Sequence, residues 1–229
     1  MTDSHCHNFP RVDDSVSRRF VSAITQNDWG NLETLEAPNV PFFGVHPWHA
    51  ETIKDLDLFR EELYNVLQNN PSSGVGETGL DRLKDKTITP LQRSLFSIHL
   101  EVASSLNRPI VIHGAKCWGE TFKECAKYTA KIPSFLFHGF SRSGGLIKDI
   151  VAINGYFSIG PSLLNDHAIN YHKLVKEIPL DRILIESDYD GTKEVPPLLS
   201  IVEKLSSLVN IPFDSLLNHI EENSANFLQ

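Results

Sequence analysis

Pro109-Ile110-Val111-Ile112-His113 is an apolar, largely β-branched run that stops on an imidazole. A continuous apolar run of this length suits a strand covered on both faces, as in a parallel sheet. The same pattern recurs on either side. Ser134–Phe137 stops on His138, Pro41–Val45 on His46 and Gly74-Val75-Gly76 on Glu77. Ile183–Glu186 leads to Ser187-Asp188, and the chain opens on Asp3-Ser4-His5-Cys6-His7. With Phe20–Ile24, Gly155–Ile159 and a very short Thr2–His5 there are eight strand candidates.

Amphipathic helices fill the gaps. The clearest begins at Thr89-Pro90, a capping residue followed by a proline suited to the first turn. Leu91, Leu95, Ile98, Val102 and Leu106 then recur at helical spacing. Further helices are expected over about 56–68, 118–128, 145–153, 166–176, 197–208 and 212–226. Strands alternating with helices predict an α/β fold with a parallel sheet. Polar residues at so many strand ends can converge only if that sheet closes. The predicted fold is therefore a TIM-type (β/α)8 barrel, a single domain over residues 1–229. Only 12 residues separate His7 from Phe20; they include Pro10 and lack a helical period. The barrel is thus expected to be slightly reduced, its first helix missing or replaced by a loop.

The composition bounds the rest. A hydrophobic fraction of 41% over 229 residues fits one folded domain. No apolar run approaches the roughly 18 residues a bilayer-spanning helix needs. The polar motif at residue 3 leaves no room for a signal peptide, and three scattered cysteines make no disulfide framework. These features point to a cytoplasmic monomer with no membrane association and no stable protein partner. A net charge of −8 argues against broad binding to a phosphate backbone, although a cleft can carry a local field of the other sign. Arg82, Lys84, Lys116 and Arg142 all lie just beyond polar strand ends.

His5 and His7, two apart on a strand, face the same side and can reach one ion. Cys6 then points away and packs as a small apolar residue. Glu77 has two oxygens and can bridge two cations. His113 and His138 are placed to hold the second. Asp188 can bind the first ion or take a proton from water. Imidazole with carboxylate and no thiolate suits Zn²⁺, Mn²⁺, Fe²⁺ or Ni²⁺ better than Mg²⁺. His46 sits at the predicted barrel mouth and is read as a substrate contact. His49, His99, His167, His172 and His219 are expected at the surface.

These segments resemble the TatD family of metal-dependent hydrolases, within the wider amidohydrolase-like superfamily. The likeness is carried by DSHCH (3–7), GVHPW (44–48), GETGLD (76–81), RPIVIH (108–113), FHGFS (137–141), GYFSIG (155–160) and ESD (186–188). The resemblance implies a β/α barrel, metal ligands His5, His7, Glu77, His113, His138 and Asp188 around two divalent ions (Zn, Mn or Mg), and DNase activity. Three departures stand out. Lys116 replaces an arginine that usually follows the fifth-strand histidine. Ser187-Asp188 replaces Thr-Asp. Asn223-Ser224-Ala225-Asn226-Phe227 lacks the arginine of the family's C-terminal pattern.

The expected chemistry is hydrolysis by a metal-activated water, with Glu77 and Asp188 catalytic and His46, Lys116 and Arg142 gripping the substrate. DNA or a smaller phosphodiester is the expected substrate. An amide, ester or lactone hydrolase using the same metals is the alternative. A degenerate barrel that only binds a partner is the third reading.

Overall fold

The computed structural model describes residues 1–7, 13–192 and 194–229. Its eight strands are β1 Thr2–Cys6, β2 Arg18–Ser22, β3 Val40–Phe43, β4 Gly74–Asp81, β5 Ile110–Ala115, β6 Phe135–Phe137, β7 Gly155–Ile159 and β8 Ile183–Ile185. They pair in chain order, each parallel to the next. The helices are α1 Trp29–Leu32, α2 Leu56–Asn69, α3 Pro90–Leu106, α4 Trp118–Cys125, α5 Ile147–Ala152, α6 Ile169–Glu177, α7 Leu198–Val209 and α8 Phe213–Phe227. No helix occurs in the described residues between β1 and β2, as expected; residues 8–12, including Pro10, lie outside them. The short α1 has no counterpart in the sequence reading, because four residues are too few to show a period. No helix among the described residues is long and apolar enough to cross a membrane.

Side chains and backbone amides of β1 and of the residues just past β8 join the two ends of the sheet. The buried Asp3 carboxylate accepts from Ser187 N at 2.9 Å and Ser187 Oγ at 2.6 Å. Ser4 Oγ donates to Ile185 O, and the amides of Asp188 and His7 donate to the carbonyls of His5 and Tyr189. Burial pushes the Asp3 carboxyl up to about 6, against the pull of the Ser187 donors.

Strand alternation divides the apolar residues into two sets. One set, including Val21, Phe43, Ile110, Ile112, Phe135, Phe137, Ile183 and Ile185, belongs to the larger core under the helices. The other is a separate cluster of Phe20, Phe42, Val111, Leu136, Tyr156, Leu184 and Phe227. Six of these come from strands, two residues before Ser22, Gly44, His113, His138, Ser158 and Glu186 respectively, and so share a face with them. Phe227, from the last turn of α8, is the seventh. Its ring stacks on Phe42 at 6.0 Å and meets Phe20 and Tyr156 at 5.8 Å. The helix is fastened beneath the strands by Glu221, which accepts from Thr2 N and Oγ1, and by Asn223, which donates to Leu180 O and Ile183 O.

β4 runs five residues beyond the expected Gly74–Gly76. Its register against β5 slips between Val75 and Thr78, which inserts one extra residue and re-aims Glu77. Glycine makes this possible. At Gly76 (φ +147°) a Cβ would lie 2.9 Å from Val111 Cβ, and at Gly79 (φ +151°) 2.0 Å from His113 O.

His99 corrects the surface expectation, because it is fully buried. Helical spacing from Leu95 sets it on the inner stripe of α3. One ring nitrogen donates to Leu95 O and the other accepts from Val45 N.

Candidate metal centre

The centre is built around Glu77. Its Oε2 lies 3.0 Å from His7 Nε2 and 3.4 Å from His5 Nε2. Its Oε1 lies 2.7 Å from His113 Nδ1 and 2.8 Å from His138 Nε2. Each carboxylate oxygen thus faces its own pair of imidazoles. Asp188 approaches from the rim, with Oδ1 3.7 Å from His5 Nε2 and 3.8 Å from His7 Nε2. Glu77 and His5 are buried, whereas the Asp188 side chain is 51% exposed. Among the described residues, ligand atoms converge in three groups: His5, His7 and Glu77; His5, His138 and Asp188; and His46, Glu77 and His113.

The far nitrogen of each ring tells these histidines apart. His7 Nδ1 lies 3.0 Å from Ser22 O, a carbonyl that can only accept, so the proton sits there and the Nε2 lone pair faces Glu77. His113 Nε2 donates to the buried Asp81 carboxylate at 2.9 Å, freeing Nδ1. His138 Nδ1 is 3.5 Å from Glu186 Oε2, leaving Nε2 inward. His5 Nδ1 meets Ser22 Oγ at 3.2 Å, while its Nε2 is buried without a hydrogen-bond partner. An orphaned imidazole nitrogen costs free energy in a folded protein. A cation between the carboxylates and these lone pairs satisfies it, so the donor set fits a divalent metal.

His46 has the opposite polarity. Its Nδ1 accepts the Trp48 amide at 3.1 Å, which puts the ring proton on Nε2, the atom 3.2 Å from His113 Nδ1. Burial holds the ring's pKa down at about 3, against the attraction of Glu77. His46 therefore aims an N–H donor into the centre, whereas His7, His113 and His138 each have an acceptor behind the far nitrogen, which leaves the inward nitrogen free to bind a metal.

Two carboxylates here were not singled out in the sequence. Asp81 takes the Leu83 and Lys84 amides at 2.6 and 3.0 Å while it holds His113. Glu186 accepts from Ser158 Oγ and from Gly139 N behind His138. The signal was present, since Asp81 is four residues past Glu77 and Glu186 two before Asp188, spacings that share a strand face. Such carboxylates orient ligand imidazoles in metal sites and raise their basicity.

The electrostatics follow from the crowding. Burial opposes the Glu77 charge, but the rings of His138, His46 and His113 hold its carboxyl well below the usual range. Burial pulls His5 down, and the nearby His138 ring adds to this. Cys6 turns outward as expected, with Sγ toward Phe20 O in the shell core. Lys116 and Arg142 are exposed on the loops after β5 and β6, both with left-handed backbones (φ 58° and 64°). Arg82 instead pairs with Glu120, which also holds Arg93.

Comparison with known proteins agrees with this architecture. The family model for TatD-related DNases matches residues 2–229. The uncharacterized metal-dependent hydrolase BU355 of Buchnera aphidicola is 27% identical over 250 residues, covering 94% of each chain. The uncharacterized metal-dependent hydrolase MJ1582 of Methanocaldococcus jannaschii is 26% identical, covering 99% of this chain and 96% of its own. Among solved structures, the TatD homolog YjjV of Escherichia coli superposes with a TM-score of 0.85 at 21% identity, covering 99% of this chain and 96% of that one. The phosphotriesterase homology protein of E. coli, solved with phosphate in its active site, gives 0.69 at 13% identity over 100% and 98%. The chain belongs to the TatD family of metal-dependent hydrolases.

Proposed function

We propose that this hydrolase cleaves phosphodiester bonds, in DNA or a smaller phosphodiester. The observation that carries the reading is Glu77, with one oxygen toward His5 and His7 and the other toward His113 and His138. In this reading His5, His7, Glu77 and Asp188 would hold one divalent cation, and Glu77, His113 and His138 would hold a second. Cations bound there supply Lewis acidity and a water acidic enough to attack near neutral pH. The chain's own groups do the rest. Asp188, half exposed at the rim, accepts the proton of the attacking water. The His46 N–H donates to an oxygen of the reacting group, where charge develops. Lys116 and Arg142 bring positive charge to the loops that border the site. Asp81 and Glu186 hold His113 and His138 in place.

A carboxyl-ester, amide or lactone substrate is the second reading. The His46 donor suits a carbonyl oxygen equally well, and Lys116 offers a phosphate only a point charge. The fold is shared with a lactonase of Listeria monocytogenes, at a TM-score of 0.65 and 13% identity. A chain that only binds a partner has no use for an intact donor set.

Elemental analysis joined to paired assays tests the proposal. One to two equivalents of divalent metal are expected, lost with chelator together with DNA hydrolysis. Lys116→Ala should keep the metal and lower phosphodiester kcat/KM by roughly 5- to 150-fold. Fewer than about 0.2 equivalents after reloading ends the metalloenzyme reading. Hydrolysis of esters or lactones, with no phosphodiester cleaved under any metal, hands the function to the second reading.

A further inference from the structure

Trp48 stands where a core would not put it. The chain has three tryptophans; Trp29 and Trp118 are 7% and 5% exposed, and Trp48 is 44% exposed. Among the described residues it is the aromatic member of the exposed large apolar side chains, beside Leu58, Leu83 and Ile169. Leaving an indole in water forfeits the stabilisation that burying it would give.

Its position is fixed from several sides. Pro47 starts the 3-10 turn after β3 and locks its entry, while the Trp48 amide is held by His46 Nδ1. The Trp48 carbonyl accepts from Lys84 Nζ at 3.2 Å, so the loop after β4 braces the same turn. The indole stands edge to face against His46, ring centroids 5.1 Å apart, and His46 in turn stands 4.3 Å from His113. One imidazole therefore separates the exposed ring from the candidate metal centre. A rigid aromatic face, an imidazole N–H donor and an ammonium lie side by side at the mouth.

We propose that Trp48 is a stacking platform for an unpaired nucleobase of the substrate. The inference deepens the phosphodiesterase reading and rests on it. Base and phosphate of one nucleotide match the three features: the base covers the indole, a phosphate oxygen takes the His46 N–H, and a flanking phosphate meets Lys84. Aromatic platforms accept any base, because every base has a π face. A base inside a duplex is already stacked on both sides, so the platform selects single strands and frayed ends.

The test compares an oligothymidylate with an abasic oligomer of equal length on the metal-loaded protein. Trp48→Ala should lower kcat/KM about 5- to 150-fold on the thymidylate and leave the abasic oligomer within about twofold, with Trp48→Phe recovering most of the loss. A structural effect on His46 would lower both alike, and that result overturns the proposal. Fluorescence with phosphorothioate oligomers reads binding apart from turnover. Wild-type emission should be quenched by the thymidylate and not by the abasic probe, and Trp48→Ala should lose the response. Absence of quenching also overturns the platform. If the wild type cleaves no phosphodiester, the proposed function falls while the fluorescence arm still decides whether a base is bound at Trp48.

Discussion

The lower and upper halves of one barrel lumen are lined by the same strands and have opposite chemistry. Below lie Phe20, Phe42, Val111, Leu136, Tyr156 and Leu184, sealed by Phe227. Two residues further along the same strands lie Ser22, Gly44, His113, His138, Ser158 and Glu186. The lower layer buries apolar surface, and the Tyr156 hydroxyl is its one polar side-chain group. The upper layer buries a carboxylate among imidazoles and leaves His5 Nε2 without a partner. One repeat along a strand thus moves the chain from stability to chemistry. Substitutions in the two layers should therefore separate cleanly.

Glu77→Ala should give the largest effect. It removes the carboxylate that faces both imidazole pairs, so metal content and activity should each fall by at least about 100-fold. The fold should survive, because the aromatic plug beneath is untouched. Metal titration with circular dichroism checks this; a metal content equal to wild type would break the upper half of the comparison.

Phe227→Ala is the mirror experiment. Loss of a buried ring that packs on Phe20, Phe42 and Tyr156 should cost about 3–5 kcal/mol in urea unfolding. The molecules that remain folded should keep their metal content. A variant as stable as wild type, or one that is stable but metal-free, would show that the layers are not separable.

His99 gives the smallest effect and marks the boundary of the site. It is a buried imidazole outside the lumen, and burial lowers its pKa from 6.5 to about 4. The folded protein keeps it neutral, whereas the unfolded chain takes up a proton below about 6.5. Its contribution to stability is therefore complete above that pH and is lost as pH falls toward 4. Between pH 7 and pH 5 wild type should lose about 2 kcal/mol more than His99→Gln in denaturant unfolding. Equal losses would mean that the ring is accessible to protons in the folded state.

Much of the fold was legible because hydrophobic runs and their polar stops are local patterns. The unbroken apolar run of Ile110–Ile112 or Phe135–Phe137, stopped by a histidine, states both the strand and the residue that leaves it. The ligand-type residues were legible for the same reason, with DSHCH and GETGLD adding the likeness to a family. Boundaries were less so: the run of β4 past Gly76 depends on a bulge that only pairing with β5 produces. His99 was misplaced because a polar side chain at a buried helical position is justified by partners on another element, here Val45 N.

The sequence by itself determined the eight strands and the supply of imidazoles and carboxylates at their ends, because each is written in a run of a few residues, and their parallel direction, because helices alternate with them. Tertiary structure decided which ring nitrogen faces the centre. Ser22 O, Asp81 and Glu186 lie behind His7, His113 and His138, whereas an amide N–H lies behind His46. Three of these four backing groups come from another strand or strand end; three set the ring by hydrogen bonding, and Glu186 stands 3.5 Å behind His138 as a charge. The difference between a ring that offers a lone pair and one that offers a proton is therefore fixed by packing, since imidazole carries both possibilities until its far nitrogen finds a partner.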